Sequence, residues 1–165
     1  MASTASPTHL PSIDPHLREE TGRELQATLV DLVDLSLVGK QLHWSVVGPA
    51  FRALHLQLDE LVDSWRALAD TVAERAVAIG AFPDGQAAAV AARSASRPLA
   101  IGAVEDHEVV RELAHRIAEV SELARSRMDR LGELDAASQD VLVGVVRALE
   151  EQQWMERAQL PHRGA

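Results

Sequence analysis

The chain has 165 residues, 47% of them hydrophobic, and a formal net charge of −9. This length and composition fit one globular domain with a full hydrophobic core and exclude a disordered chain. The chain contains no cysteine, which excludes disulfides, thiolate zinc sites and cysteine nucleophiles, and its acidic balance favours metal cations over phosphate backbones as partners.

Residues 1–15 are predicted to form an extended tail, because Pro7, Pro11 and Pro15 stand there among small and polar residues. The opening sequence MASTASPTHL lacks the basic and then apolar layout of a signal peptide. No apolar run in the chain approaches the roughly 18–20 residues that a membrane span needs. We therefore expect a cytoplasmic protein without a membrane partner.

A domain of four long helices is predicted over residues 16–160, followed by a short tail at residues 161–165. The helices are expected at about residues 16–47, 50–81, 105–131 and 138–160, with Gly48-Pro49 and Pro83-Asp84-Gly85 as breaks. Either Asp135 or Ser138 could cap the last helix. The Ala-rich residues 86–103 suit a short extra helix in the connection between helices two and three. No segment shows the period of two that marks a strand, so the sequence predicts an all-α protein, a four-helix bundle.

Two faces of the second helix differ in chemistry. At about 100° per residue, one face collects large apolar side chains at a spacing of 3–4 residues, namely Leu54, Leu58, Leu61, Trp65, Leu68 and Val72. A second face, roughly 150° away by the same count, collects His55, Asp59, Asp70 and Glu74. The apolar face is predicted to pack in the core of its own bundle, and the second face is predicted to point away from that core.

The length of the helix divides the four polar side chains into two pairs. His55 and Asp59 are one turn apart, as are Asp70 and Glu74, but 11 steps separate Asp59 from Asp70, which is about 16 Å of helix rise. Metal–ligand bonds are roughly 2–2.5 Å long, so the pairs of one chain cannot share an ion. Two copies packed antiparallel across a twofold axis would join the first pair of one to the second pair of the other, in two equal sites. His43, near the end of the first helix, could reach the same place.

The polar face of the second helix is also consistent with an ordinary solvated surface that binds no metal. Carboxylates that point away from a core are usually solvated, and Arg66 and Arg75 are near enough in the sequence to pair with them. Helical periodicity alone leaves the metal site and the solvated surface as open alternatives.

Further residues around these pairs make up a recognisable motif. The run Lys40-Gln41-x-His43-Trp44, with Gly48, Phe51, His55, Asp59, Asp70 and Ala73-Glu74-Arg75-Ala76, resembles the Dps family (DNA-binding proteins from starved cells), mini-ferritins of the ferritin-like superfamily. The match is strongest over residues 35–80 and weaker over the remaining helices, where Asp84-Gly85 and Trp154-Met155 contribute. All five positions of the family's ferroxidase site carry the family's residue types at the family's spacing.

The resemblance implies a ferritin-like bundle that assembles into a hollow dodecamer with ferroxidase sites at its twofold interfaces. Iron would be bound by His43, His55 and Asp59 of one chain together with Asp70 and Glu74 of its partner. The resemblance also implies that Fe(II) is oxidised there, with hydrogen peroxide as the expected oxidant, and that Fe(III) mineral is stored inside the shell as protection against oxidative stress. Carboxylates hold hard iron, and imidazole leaves coordination positions open.

Lys40 and Trp44 look like residues that lie beside the site in the family without binding the metal. For Trp44, packing at an interface explains the residue equally well. The family also has acidic pores at a threefold axis near the start of the last helix, which makes Asp135 and Asp140, with Glu133, candidates for an iron-entry route. The helix dipole also favours acids at a helix N-terminus, so both explanations of these acids stay open.

Two other groups contain residues of the types that bind metals. Glu112 and His115 form a Glu-x-x-His motif on the third long helix. They lie far around that helix from its apolar face, and sites in a bundle core need more than one such motif, so we expect a surface position. His9, Asp14 and His16 could form a second metal site in the N-terminal segment, as in some relatives, although a tail without metal is the simpler expectation.

The family name suggests DNA binding, which the charge of this chain opposes. Residues 1–17 contain no lysine or arginine, and Lys40 is the only lysine. A shell of chains that each carry a charge of −9 would repel phosphates, so we expect weak DNA binding or none. The leading hypothesis is an iron-oxidising and iron-storing mini-ferritin. The alternative is a nucleoid-associated, DNA-compacting shell protein with secondary iron chemistry.

Overall fold

The computed structural model describes residues 13–94 and 96–160. Within them lie five helices, α1 (Pro15–Ser45), α2 (Phe51–Ala78), α3 (Ala87–Arg93), α4 (Asp106–Leu131) and α5 (Ala136–Ala158), and two short strands, β1 (Val46–Val47) and β2 (Val104–Glu105). The prediction of an all-α four-helix bundle, with a short extra helix between its second and third long helices, is confirmed. Most of the predicted N-terminal tail, residues 1–12, and the C-terminal tail fall outside the described residues.

The long helices pack as two hairpins, α1 with α2 and α4 with α5, and the hairpins meet along α1 with α4 and α2 with α5. Trp65 stands at the centre of the shared core and is completely buried. Its indole N–H donates to Gln152 Oε1 at 2.8 Å, which satisfies the one polar atom of the ring. A Cβ on Gly39 would lie 2.6 Å from the indole, so glycine at this position lets α1 approach α2 closely.

The burial of α2 follows its predicted apolar face. Five of the six residues on that face are fully buried and the sixth, Leu68, is partly buried against the core. Buried hydrophobic side chains of the other long helices complete this core. Among the described residues, no helix combines the length and the apolar character needed to cross a bilayer.

A short parallel bridge ties the α1–α2 turn to the start of α4. Val46 pairs with Val104, and Val47 pairs with Glu105. The first helix therefore ends at Ser45, two residues before the predicted end, and the prediction of no β-structure is wrong at these four residues. A strand of two residues is too short to show a period of two, so the sequence pattern contains no sign of it.

Candidate metal centre

The turn between α1 and α2 brings the ends of these helices together. The backbone N–H of Ala50, at the start of α2, donates to Asp106 Oδ2 from α4 at 2.8 Å. Gly48 has a φ of +120°, and a Cβ there would lie 2.7 Å from the same carboxylate, so this turn requires glycine. The first residue of α4 thus fixes the turn that holds His43 and His55 opposite each other.

Three side chains of metal-binding types meet beside this turn. His43 from α1, with His55 and Asp59 from α2, offers ligand atoms that all lie within 4.8 Å of one another. His43 is 7% exposed, whereas the other two are partly exposed, so the group is open to one side. Two imidazoles and a carboxylate suit iron and other first-row metals, and three protein ligands leave coordination positions for further groups.

The two histidines orient each other's rings. His43 Nδ1 lies 3.0 Å from the backbone oxygen of His55, and His55 Nδ1 lies 3.2 Å from the backbone oxygen of His43. The rings stack with their centroids 3.6 Å apart. A ring nitrogen that contacts a carbonyl oxygen carries the proton and donates it, which leaves Nε2 of each ring as the atom able to bind a metal.

A lysine holds Asp59 in its charged form. Lys40 Nζ donates to Asp59 Oδ1 at 2.7 Å. This hydrogen bond, with smaller contributions from the charges of His43 and Lys40, holds the pKa of the Asp59 carboxyl below its ordinary value. Lys40 Nζ also lies 5.9 Å from the centroid of the Trp44 ring. Lys40 therefore lies directly beside the carboxylate of the cluster, and Trp44 lies near Lys40. A metal bound here must share Asp59 with the ammonium group or displace it.

The second predicted pair lies away from this cluster. Asp70 and Glu74 are exposed and are not among the residues whose ligand atoms meet. They follow Asp59 along α2, on the face of the helix that points away from the core. One chain therefore brings together three of the five predicted ligands and leaves the other two facing outward.

Neither arginine that could neutralise this outward-facing pair is directed at it. Arg75 Nη2 donates to Asp135 Oδ2, across to α5, at 2.6 Å. Arg66 Nη1 lies 3.9 Å from Asp63 Oδ1. The alternative in which Arg66 and Arg75 simply pair with the carboxylates of the second pair is therefore not realised in the structure.

Of the predicted pore acids, Asp135 has a structural role at the start of α5. Its side chain caps the helix by accepting from the backbone N–H of Ser138 at 2.9 Å, so Asp135 is the cap and Ser138 lies inside the helix. Burial raises the pKa of Asp135, but hydrogen bonds from Ser138 and Arg75 outweigh it and leave the pKa below its ordinary value. Asp140 and Glu133 are exposed and are the candidates that point to solvent at this end of α5.

The two residues of the Glu-x-x-His motif on α4 take part in separate ion pairs. Glu112 accepts from Arg116 and from Arg97, each at 2.7 Å. His115 Nε2 lies 3.3 Å from Glu119 Oε1, and both side chains are about half exposed. The two residues of the motif thus have different partners. His115 lies at the surface as expected, whereas Glu112 is only partly exposed and pairs with the buried Arg116.

Of the three possible metal ligands near the N-terminus, His9, Asp14 and His16, the structure describes the last two. Asp14 is the cap of α1 and accepts from the backbone N–H of His16 at 2.8 Å. His9 lies outside the described residues, so a metal site of these three residues stays a prediction.

A buried carboxyl group on α5 was not predicted from the sequence. Glu156 is completely buried and accepts from Gln57 Nε2 at 2.6 Å and Gln159 Nε2 at 3.1 Å. Burial raises its pKa to about 7. Helical spacing contains the signal, because Glu156 continues one buried face of α5 at steps of three and four residues, after Leu142, Val145, Leu149 and Gln152.

Comparison with known proteins agrees with this fold. The ferritin-like domain matches residues 23–162, most of the chain. The chain is 38% identical over 140 residues to the fine tangled pili major subunit of Haemophilus ducreyi, covering 82% of this chain and 72% of that protein. It is 32% identical over 157 residues to the DNA protection during starvation protein of Mycolicibacterium smegmatis, covering 94% of this chain and 85% of that protein.

A solved structure gives the same result. The tetragonal form of Mycobacterium smegmatis Dps matches with a TM-score of 0.90 at 30% identity and covers 98% of both chains. The helical bundle therefore places the protein in the ferritin-like class. Within that class the chain belongs to the Dps family, as its sequence motif predicted.

Proposed function

We propose that this protein oxidises Fe(II) at sites shared between two subunits and stores the Fe(III) product inside a hollow dodecameric shell. The observation that carries the proposal is the meeting of His43, His55 and Asp59 within 4.8 Å, in a group that is open on one side. Asp70 and Glu74 supply the missing ligands if they come from the partner subunit. Membership of a ferritin-like family supports iron as the metal.

Exposed apolar side chains support the sharing of these sites. On the α1–α2 hairpin, Leu37, Trp44 and Phe51 are 56%, 71% and 44% exposed. Large apolar side chains grouped at a surface mark an interaction site. A second copy related by a twofold axis would cover these side chains and would place Asp70 and Glu74 of the partner subunit next to the open side of the cluster.

The ligand set explains how the proposed chemistry proceeds, with Fe(II) as the substrate. The imidazoles of His43 and His55 bind through Nε2, and the carboxylates of Asp59 and of the partner's Asp70 and Glu74 offset the charge of the ions. Two Fe(II) ions give one electron each to one hydrogen peroxide molecule, which takes up two protons and leaves as two water molecules. Because both electrons are delivered together, no hydroxyl radical is released. Fe(III) then hydrolyses, releases protons and deposits as mineral within the shell.

Removal of iron and peroxide in one reaction would protect the cytoplasm against oxidative stress. Iron would enter through threefold pores near the start of α5, where Asp140 and Glu133 are the exposed acids and attract cations. Asp135 would hold the start of α5 next to these acids, because it caps that helix and pairs with Arg75 of α2.

DNA compaction is the second candidate function, since the relative from Mycolicibacterium smegmatis is named for DNA protection. Such a shell would associate with the nucleoid. The net charge of −9 and the absence of lysine and arginine from residues 1–17 oppose contact with phosphates. We therefore place DNA compaction second, and expect weak DNA binding or none.

Anaerobic mixing of the intact protein with Fe(II) and hydrogen peroxide tests the proposed function. Ferric absorbance should rise at least about tenfold faster than in buffer. The reason is that the site holds two Fe(II) ions in position for one peroxide molecule, whereas in buffer the three must meet by diffusion. Zn(II), which accepts the same ligands but has no redox chemistry, should return the rate to that of buffer. Oxidation no faster than in buffer would end the ferroxidase proposal.

A further inference from the structure

We infer that Asp63 and Arg66 form reciprocal ion pairs between two subunits, at the centre of the shared interface and midway between its two metal sites. The inference rests on the proposed function, because shared sites fix how one α2 helix lies against the other. It adds residues that bind no metal and that select a second copy of this chain in one register.

The register follows from the positions of the ligands along α2. In two identical antiparallel helices related by a twofold axis, facing residues lie at equal distances on either side of one midpoint. Asp59 and Asp70 are equally far from the point between Ser64 and Trp65, and so are His55 and Glu74. Asp63 and Arg66 are also equally far from that point. Each therefore faces the other type of residue on the partner.

Both side chains lie on the face of α2 that carries the proposed ligands. At about 100° per residue, Asp63 and Arg66 stand within about 30° of the centre of the face defined by Asp59 and Asp70. Their side chains are 79% and 60% exposed, whereas Trp65 between them is buried. Helices that cross on a twofold axis approach most closely at that axis, so these two positions meet the partner at any crossing angle.

The charge of this face also calls for the pair. Asp59, Asp63, Asp70 and Glu74 are all acidic, and Arg66 is the only lysine or arginine of α2 between Arg52 and Arg75. Two copies of an acidic face repel each other unless cations separate them. Within its own chain Arg66 approaches Asp63 only to 3.9 Å, a weak exposed contact that leaves the guanidinium available to a partner.

Charge reversal in full-length protein tests the inference. Arg66→Asp places Asp opposite Asp, and Asp63→Arg places Arg opposite Arg, so each variant alone should raise the dissociation constant of the subunit pair about tenfold or more at low salt. Co-expression of the two variants should restore pairs that contain one chain of each kind. In such mixed pairs both facing positions carry opposite charges, whereas the contact within each chain stays repulsive. Native mass spectrometry separates mixed pairs from uniform ones by their masses.

Two controls define the result. Asp63→Arg combined with Arg66→Asp in one chain should assemble like the original protein, and Glu60→Arg, the same charge change at an exposed position away from this face, should leave assembly unchanged. Arg66→Gln, which removes charge without adding any, should weaken pairing less than Arg66→Asp. Single variants that pair like the original protein, or a mixture that pairs no better than they do, would overturn the inference. If the mixed pairs form but do not oxidise iron, the result would count against the proposed function and would still support the ion pairs between subunits.

Discussion

The combined change His55→Ala and Asp59→Ala should lower the rate of Fe(II) oxidation at least about 100-fold. Loss of a residue that merely orients a metal ligand costs roughly 10–100-fold in affinity or activity, so loss of two ligands costs at least as much. Only His43 would remain of the three side chains that meet within 4.8 Å. The initial rise of ferric absorbance measures the rate, and calorimetric titration with Zn(II) measures metal binding without redox chemistry.

A matched pair on α4 provides the control for this change. His115 and Glu119 are also a histidine and an acid one turn apart, 3.3 Å from each other and exposed. Their replacement by alanine should leave both the oxidation rate and Zn(II) binding unchanged. The cluster beside the α1–α2 turn would not be the site of oxidation if the His55/Asp59 variant oxidised Fe(II) as fast as the original protein. The same would follow if the control variant lost as much of the oxidation rate as the His55/Asp59 variant.

Glu156→Gln should raise the free energy of unfolding at pH 8 by up to about 3 kcal/mol and should give no such gain near pH 4. Burial of Glu156 raises its pKa from 4.5 to about 7 in the folded protein, and each unit of pKa corresponds to about 1.4 kcal/mol. The glutamine has nearly the same shape, can still contact Gln57 and Gln159, and removes the charge that forms in the buried position above pH 7.

The sign of this pH dependence follows from the protons bound. Between pH 4.5 and 7 the folded protein keeps the Glu156 proton and the unfolded chain has lost it, so stability falls as pH rises through this window. Urea unfolding of both proteins at several pH values measures the difference, with Glu151→Gln, an exposed position on the same helix, as the control. Equal stabilities of the Glu156→Gln variant and the original protein at pH 8 would contradict this account.

Features that depend on helical periodicity could be predicted from the sequence. Burial repeats with the turn of the helix, so the spacing of Leu54, Leu58 and Trp65 predicts the core face of α2, and the positions of Asp70 and Glu74 predict that they lie apart from His55 and Asp59. The family motif added His43 to the predicted ligands and predicted iron as the metal. The structure brings His43 to this cluster because the α1–α2 turn folds one helix end onto the other.

Features that depend on contacts between distant segments could not be predicted in this way. The hydrogen bond from Ala50 to Asp106 requires the start of α4 to lie against a turn more than 50 residues earlier. The role of Asp135 as a cap that binds Arg75 depends on where the end of α2 meets α5. An acid at a helix N-terminus fits a cap and a pore equally well in the sequence, and the hydrogen bond from Ser138 that makes Asp135 a cap is visible only in the folded chain.

The central claim is that one chain supplies only part of each oxidation site, so that monomers are inactive. Mixed assembly of two inactive variants tests it most directly, with His55→Ala and Asp59→Ala in one chain and Asp70→Ala and Glu74→Ala in the other. Each variant alone has no complete site. A mixed pair has one intact site, formed by the His43, His55 and Asp59 cluster of the second variant and the acids of the first. Random mixing should therefore restore about one quarter of the original rate of Fe(II) oxidation. A mixture as inactive as its components, or full activity in the Asp70/Glu74 variant alone, would contradict a site shared between subunits.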